Sequence, residues 1–362
     1  MHMADALLSP SVGAAFWVAS GAAMAWSASH VKRNDRSDLV PLMGVLGAFV
    51  FAAMMINFTI PGTGSSGHLG GGLLLSILLG PHAALIVMAS VLMVQALFFA
   101  DGGLLALGAN IFNLGVCTCY LAYPLIYRPL VQRAGTPPSR TRMALVAVLA
   151  AVLGLQVGAL GVVAETQLSG ISSLPLGTFL FMMQPIHLAI GLVEGLATAA
   201  LVLFVHQARP DLFVTIAPAT PAASEPTGRR PVGLVVALGA ASLVTAGVLS
   251  WFASSQPDGL EWSIERSSGH AEVAAPASRM HTVLSAWQER SAWFPDYIWS
   301  SASKQAPAPV QSAQAATQSE ADPAWPAVDV GTSLAGIVGG LATMGLVVGV
   351  GYWLKRRKPR PL

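Results

Sequence analysis

The chain has 362 residues, of which 54% are hydrophobic and only 10% charged, with a mean hydropathy of +0.63. Soluble domains carry about 25% charged residues, so this composition excludes an ordinary soluble domain and points to a multi-pass membrane protein. A formal net charge of +2 is too small to imply nucleic acid, and the two cysteines, Cys117 and Cys119, both lie inside one apolar run, which excludes a disulfide framework. Two residues apart on a helix, they point to nearly opposite sides and read as small packing residues.

The chain opens Met1-His2. A histidine at position 2 behind a free amine is a ready-made chelator. The α-amine, the deprotonated His2 amide nitrogen and His2 Nδ1 close a five- and a six-membered ring around one divalent ion. Losing an amide proton needs a strongly bonding ion, Ni²⁺ or Cu²⁺ rather than Mg²⁺ or Ca²⁺. The three nitrogens lie nearly in a plane and leave one equatorial position for a fourth ligand. By position alone His2 reads sooner as a frayed terminal residue or part of a cloning scar, so the rest of the chain must decide. No basic stretch precedes the first apolar run, so no cleaved signal peptide is expected.

Apolar runs long enough to cross a bilayer as helices lie at 7–29, 40–60, 143–165, 180–206, 231–253 and 331–354. The stretch 69–127 holds one charged residue, Asp101, and breaks naturally at Gly80-Pro81 and Asp101-Gly102-Gly103. Basic clusters follow the first span (Lys32, Arg33, Arg36) and the 69–127 block (Arg128, Arg133, Arg140, Arg142). Two more precede the span at 231 (Arg209, Arg229, Arg230) and end the chain (Lys355-Arg356-Arg357-Lys358). All four are cytoplasmic by the positive-inside rule if 69–127 crosses three times, near 69–80, 81–99 and 103–127. The first of these is half the usual length and needs burial by its neighbours. The expectation is therefore an all-α polytopic bundle of about nine transmembrane helices, seven plus two, with the N-terminus outside and the C-terminus cytoplasmic. It divides into a membrane bundle over 1–208, a cytoplasmic linker at 209–229 and a second module over 230–362. That module comprises a span at 231–253, an external loop at 254–330, a span at 331–354 and a basic tail. Within its loop, 303–325 is rich in Ala, Gln, Pro and Ser and reads as disordered.

The loop Pro61-Gly62-Thr63-Gly64-Ser65-Ser66-Gly67-His68 falls on the same side as Met1. Its glycines permit close backbone approach, and His68 could fill the fourth position of a Met1-His2 chelate. Polar groups within spans are costly and therefore suggestive: Asn57, Gln95, Asn110, Asn113, Gln184, His187 and Glu194. His187 and Glu194 share a helix face that Gly191 and Gly195 open to a neighbouring helix. These residues, with Ser66, are candidates for orienting the imidazole ligands from behind, or for plain interhelical hydrogen bonding. The methionine pairs Met54-Met55 and Met182-Met183 read as packing.

Met1-His2-Met3-Ala4-Asp5-Ala6-Leu7-Leu8-Ser9-Pro10 resembles the start of the CbiM/NikM proteins, substrate-binding membrane components of energy-coupling-factor nickel and cobalt transporters. Gly62-Thr63-Gly64-Ser65-Ser66-Gly67-His68-Leu69-Gly70-Gly71 is similar to that family's second metal-binding motif. Gln95–Gly103, continued by Leu107-Gly108-Ala109-Asn110-Ile111-Phe112-Asn113, resembles its most recognisable stretch. Pro257-Asp258-Gly259-Leu260-Glu261, Pro295-Asp296-Tyr297 and the last span resemble the small two-span partner of these transporters, here fused to the larger subunit. The resemblance implies Ni²⁺ or Co²⁺ as transported substrate, held by the Met1 amine, the His2 amide nitrogen and imidazole, and His68. It also implies a transmembrane coupling subunit and two cytoplasmic ATPase subunits as partners, in the bacterial inner membrane. Where the family often has Pro and Gly, this chain has Ala4 and Ala6, both outside the chelate rings.

The sequence contains no Gly-x-x-x-x-Gly-Lys-[Ser/Thr] phosphate loop, so the expectation is a transporter subunit without its own ATPase site and not an enzyme. Two other readings stand beside it. One is a rhomboid-like intramembrane serine protease, with Ser66 as nucleophile and His187 as base. The other is a metal-sensing membrane protein without transport.

Overall fold

The computed structural model describes residues 2–33, 39–132, 138–210, 232–270, 273, 276, 278–298 and 325–356. Met1, the expected linker beyond Pro210, the stretch 303–325 except Trp325, and the basic residues Arg36, Arg133, Arg229, Arg230, Arg357 and Lys358 lie outside the described residues.

Helices dominate: α1 (Pro10–Arg33), α2 (Val40–Met54), α3 (Gly72–Leu79), α4 (Pro81–Phe99), α5 (Leu107–Val131), α6 (Arg140–Ser169) and α7 (Leu176–Ala208) form the first module. The second holds α8 (Val232–Gly247), α9 (Gly259–Ser268), α10 (Arg279–Ser291) and α11 (Val330–Arg356). Five helices, α4 to α7 and Val330–Lys355 of α11, are long and apolar enough to cross a membrane, while α2 and α8 are apolar but shorter. The chain is a multi-pass membrane protein. Its middle is apolar all round: nearly every residue of α2 and most of α4 are buried, the pattern of helices enclosed by other helices. On α7, Gly191 and Gly195 bring the backbone of α6 at Val152 and Val148 close, as small residues do at membrane helix interfaces.

Two features depart from the sequence expectation. The span expected at 40–60 ends as a helix at Met54, and the chain then forms a hairpin of β1 (Phe58–Ile60) and β2 (Ser65–Gly67), with Thr59 opposite Ser66. The β-branched and aromatic run Phe58-Thr59-Ile60, followed by Pro61-Gly62, favours strand and turn over a further helical turn. The segment 69–80 is not a full crossing. Its helix, α3, has eight residues, about 12 Å against about 30 Å of hydrocarbon, and it is delimited by Gly71 and Gly80-Pro81. Every residue of α3 is buried, so its neighbours cover what the bilayer does not.

The second module embraces the first. α8 and α11 pack on α2 and on each other, and the segment between them folds over one end of the bundle. Ser254 N–H donates to the Asn57 carbonyl (2.7 Å), Ser66 N–H to the Pro257 carbonyl (2.8 Å) and Phe294 N–H to the Phe98 carbonyl (3.0 Å). The motif Pro257–Glu261 forms a helix start. Asp258 Oδ1 accepts from Leu260 and Glu261 N–H (2.8 and 2.9 Å), and Glu261 returns a carboxylate oxygen to Asp258 N–H (3.0 Å), which is a capping box.

Candidate metal centre

The N-terminal segment threads into the covered end of the bundle as extended chain. Met3 N–H donates to Asn110 Oδ1 (2.8 Å), and its carbonyl accepts from Asn110 Nδ2 (3.2 Å) and Gly103 N–H (2.9 Å). Asn110 therefore pairs with both backbone groups of Met3 as a neighbouring strand would, satisfying a buried backbone that has no sheet partner among the described residues. Asp5 accepts from Ala106 N–H (3.0 Å), and Gly103 passes so close that any side chain there would collide with Asp5. From the second module, His281 Nε2 faces the carbonyls of Asp5 (3.1 Å) and Leu8 (3.0 Å).

This threading delivers His2 to His68. The two imidazoles lie parallel, 7° apart, with ring centroids at 5.0 Å. His2 Nδ1 faces Asp101 Oδ1 at 2.9 Å, and the His2 side chain is 6% exposed. His2 Nε2 is buried and has no hydrogen-bond partner among the described residues. His68 directly follows β2, with Nδ1 at 3.2 Å from the Leu69 carbonyl. Burial, reinforced by the facing His2 ring, lowers its pKa to about 3, so it presents a neutral imidazole, the form that binds a metal. Among the described residues, no three His, Cys, Asp or Glu side chains are grouped to hold an ion.

Glu194, reaching over from α7, accepts from Gly70 N–H (3.2 Å) and Gly71 N–H (3.0 Å) and so ties down the segment just after His68. Asp101 is held from two sides. Burial works against its charge, but His2 on Oδ1 and the Tyr297 hydroxyl on Oδ2 (2.5 Å) keep its pKa below the usual carboxylate range. Gln95 Nε2 donates to the same hydroxyl (3.2 Å). Asp296 and Tyr297 both adopt positive φ, 52° and 61°, a left-handed backbone that costs non-glycine residues of order 1–3 kcal/mol each and that here aims the hydroxyl at Asp101. On the other side, Gly259 opens α9. A side chain there would press on Ile190 and on His187 Cε1, and His68, His187, Asp258 and Gly259 line one narrow cavity.

The remaining sequence candidates are placed differently. Asn113 donates to Glu165 (2.8 Å) between α5 and α6. Asn57 contributes its backbone carbonyl to the second module, and Gln184 its carbonyl to Gln156 (2.8 Å). The Ser66–His187 protease dyad is not formed. Ser66 Oγ donates to the Gln256 and Pro257 carbonyls (2.7 and 3.2 Å), His187 Nδ1 faces the Met183 carbonyl (2.8 Å), and His187 Nε2 has no hydrogen-bond partner among the described residues. A nucleophile whose proton is committed to backbone carbonyls has no base. Sequence reasoning missed Asp101, Asp258, His281 and Tyr297. The first had a signal, being the lone charge in 69–127. Asp258 and Tyr297 stand in the motifs that resemble the two-span partner, and His281 had no signal; nothing local says that the second module folds over the N-terminus.

Residues 2–212 match the family described as cobalt uptake substrate-specific transmembrane region. The chain belongs to this CbiM family. Residues 232–356 match the PDGLE domain. The fused nickel transport protein NikMN of Rhodobacter capsulatus is 32% identical over 76% of this chain and 80% of its own length. The cobalt transport protein CbiM of Geobacter sulfurreducens is 30% identical over 68% and 72%. A crystal structure described as a truncated transition metal transporter is 30% identical, covers 57% of this chain and 99% of its own, and superposes with a TM-score of 0.51. This CbiM family member is thus a membrane component of metal transport, from a family of transporter components and not of enzymes.

Proposed function

We propose that this CbiM protein is the substrate-capturing subunit of an energy-coupling-factor transporter. It takes Ni²⁺ or Co²⁺ at the outer face and passes it inward, with ATP hydrolysis supplied by a transmembrane coupling subunit and two cytoplasmic ATPase subunits. The ion is held by the Met1 amine, the His2 amide nitrogen and imidazole, and His68. The observation that carries this reading is the stacking of His2 on His68 at 5.0 Å, two imidazoles far apart in sequence and buried together at the end of a chain whose second residue is histidine. A terminal chelate needs only these two side chains, because its other two nitrogens come from the backbone. The names of the relatives, one for nickel and one for cobalt, agree with nitrogen donors, which suit both ions.

Loading exchanges partners at His2. Nδ1, which faces Asp101, turns to the ion, and the Asp101 carboxylate remains beside it as a counter-charge. Release inward follows as the bundle reorients and the amide regains its proton. The basic residues Lys32, Arg33, Arg128, Arg140, Arg142 and Lys355, away from the His2 end, support a cytoplasmic placement of the opposite face.

His2→Ala removes the imidazole that anchors the chelate and leaves the Met1 amine in place. In purified full-length protein this should abolish tight Ni²⁺ binding, and an unchanged affinity would overturn the chelate. Metal uptake by cells with and without the ATPase partners separates transport from sensing: uptake that requires them supports the transporter reading, and binding with no uptake in either case supports a sensor.

A further inference from the structure

A second histidine pair lies at the other end of the bundle and plays no part in the site above. α4 ends at Phe99, two residues before Asp101 at the His2 end, and His82 is its second residue, about 26 Å from Phe99 at 1.5 Å per residue. His30, near the far end of α1, stacks on it with ring centroids at 4.1 Å and planes 21° apart. Trp26 stands edge-on to both, at 5.7 Å from His30 and 4.7 Å from His82.

The hydrogen bonds around His82 fix where its proton sits. Ser27 Oγ has one hydrogen and gives it to the Ala23 carbonyl (2.7 Å). In its 2.5 Å contact with the Tyr120 hydroxyl, Ser27 must therefore accept. Tyr120 gives its only hydrogen to Ser27, so in its 2.7 Å contact with His82 Nδ1 the phenol oxygen must accept in turn. His82 is thus the Nδ1–H tautomer, and its Nε2 carries a lone pair. Metal-binding imidazoles are prepared in this way, with the far ring nitrogen donating to an oxygen that fixes tautomer and orientation. His30 Nδ1 is buried without a hydrogen-bond partner among the described residues. A chain of three ordered hydrogen bonds ending on a nitrogen lone pair, beside a second imidazole with an unused nitrogen, is a two-ligand cradle for a cation of borderline softness.

We infer that His30 and His82 form a second, weaker site for a divalent first-row transition-metal ion at the end of the bundle opposite the His2–His68 pair. Two neutral imidazoles without a carboxylate bind Ni²⁺ or Co²⁺ but do not retain them, which suits a place from which an ion departs. The site rests on the cluster's own geometry. Its role as receiver of the transported ion rests on the transport reading given above.

The test uses the full chain carrying His2→Ala, which removes the imidazole anchor of the terminal chelate and leaves the far cluster intact. Titrated with Ni²⁺ or Co²⁺, it should bind one equivalent, more weakly than the tight equivalent of the unmodified chain. His30→Ala and His82→Ala should each weaken that equivalent at least about tenfold, and Tyr120→Phe, which frees the His82 tautomer, by about 10–100-fold. In the unmodified background all three variants should keep the tight equivalent, which also reports that they fold. A His2→Ala chain that binds no metal, or a weak equivalent that survives both far-histidine variants, overturns the inference. If His2→Ala leaves the tight equivalent in place, the chelate reading is what fails, and loss of the weak equivalent in the two far-histidine variants still decides the far site.

Discussion

Glu194 offers the sharpest lever on the candidate centre, because it acts on the backbone beside His68 and touches no proposed ligand. Its two carboxylate oxygens accept from Gly70 and Gly71 N–H at 3.2 and 3.0 Å, at a position 3% exposed. Glu194→Gln keeps the shape but offers one acceptor and one NH₂ group, so one bond becomes a donor facing a donor and the other loses its charge. A charge-assisted hydrogen bond contributes about 1.5–3 kcal/mol and a neutral one about 1 kcal/mol, giving a combined loss of about 2–4 kcal/mol. That energy holds the segment after His68, and an incoming ion must restore the geometry once it is released. Ni²⁺ affinity should therefore fall at least about tenfold and by no more than several hundredfold, at 1.4 kcal/mol per factor of ten. The assay is equilibrium competition against a chelator of known affinity, on full-length protein in detergent. Glu194→Ala should be at least as severe. Affinities within threefold of the unmodified chain in both variants would refute the argument that Glu194 positions His68.

Tyr297→Phe isolates one hydroxyl, since the ring keeps its stacking on Phe99 (4.9 Å, 24°). Losing the bond to Asp101 and stranding the buried Gln95 Nε2 should cost about 2–4 kcal/mol of stability, read as a lower denaturation midpoint, and a midpoint equal to the unmodified chain's would show that Asp101 has no need of it. Gly103→Ala should abolish tight binding, because its methyl group collides with Asp5 and displaces the thread that carries His2; retained binding in a metal titration would mean that the thread can move aside. For pH, His68 with a pKa near 3 takes up no proton between pH 5 and 8, so the proton competition must come from elsewhere. Affinity should rise with pH through the range of the terminal amine, about 7.7–8.0, and proton release measured by calorimetry in different buffers should drop by one across it. In the protein without metal the sign is opposite to that of a salt-bridged histidine. As pH falls from about 6.5 toward 3 the unfolded chain takes up a proton that folded His68 refuses, so stability declines with acidification.

Much of this protein is legible along the chain. Most of the long apolar runs mark helices to within a few residues, because a crossing helix must satisfy its own backbone and so announces itself locally; those expected at 40–60 and 231–253 run past helices that end at Met54 and Gly247. The proposed chelate at Met1-His2 is likewise a local reading, since it calls on two adjacent residues and the amine of the first. The motif Asp258-Gly259-Leu260-Glu261 also declares itself, as a capping box whose acceptors lie three residues apart. Less legible are the segments whose shape depends on neighbours. α3 is apolar enough to look like a span, yet the glycines around it stop it at eight residues, and only its packing shows that protein and not lipid surrounds it.

What the sequence by itself determined is that the chain lives in a membrane, and it also supplied the residues proposed to bind an ion. Composition, period and a terminal histidine need no long-range contact to be read. What only the tertiary structure decided is convergence. His2 meets His68, Asn110 clamps the Met3 peptide, Glu194 ties down the glycines after His68, and Tyr297 from the far module holds Asp101 against His2. Asn113, equally polar and three residues from Asn110, turns instead to Glu165. A buried amide has the same cost wherever it sits, and only the fold determines which partner satisfies it.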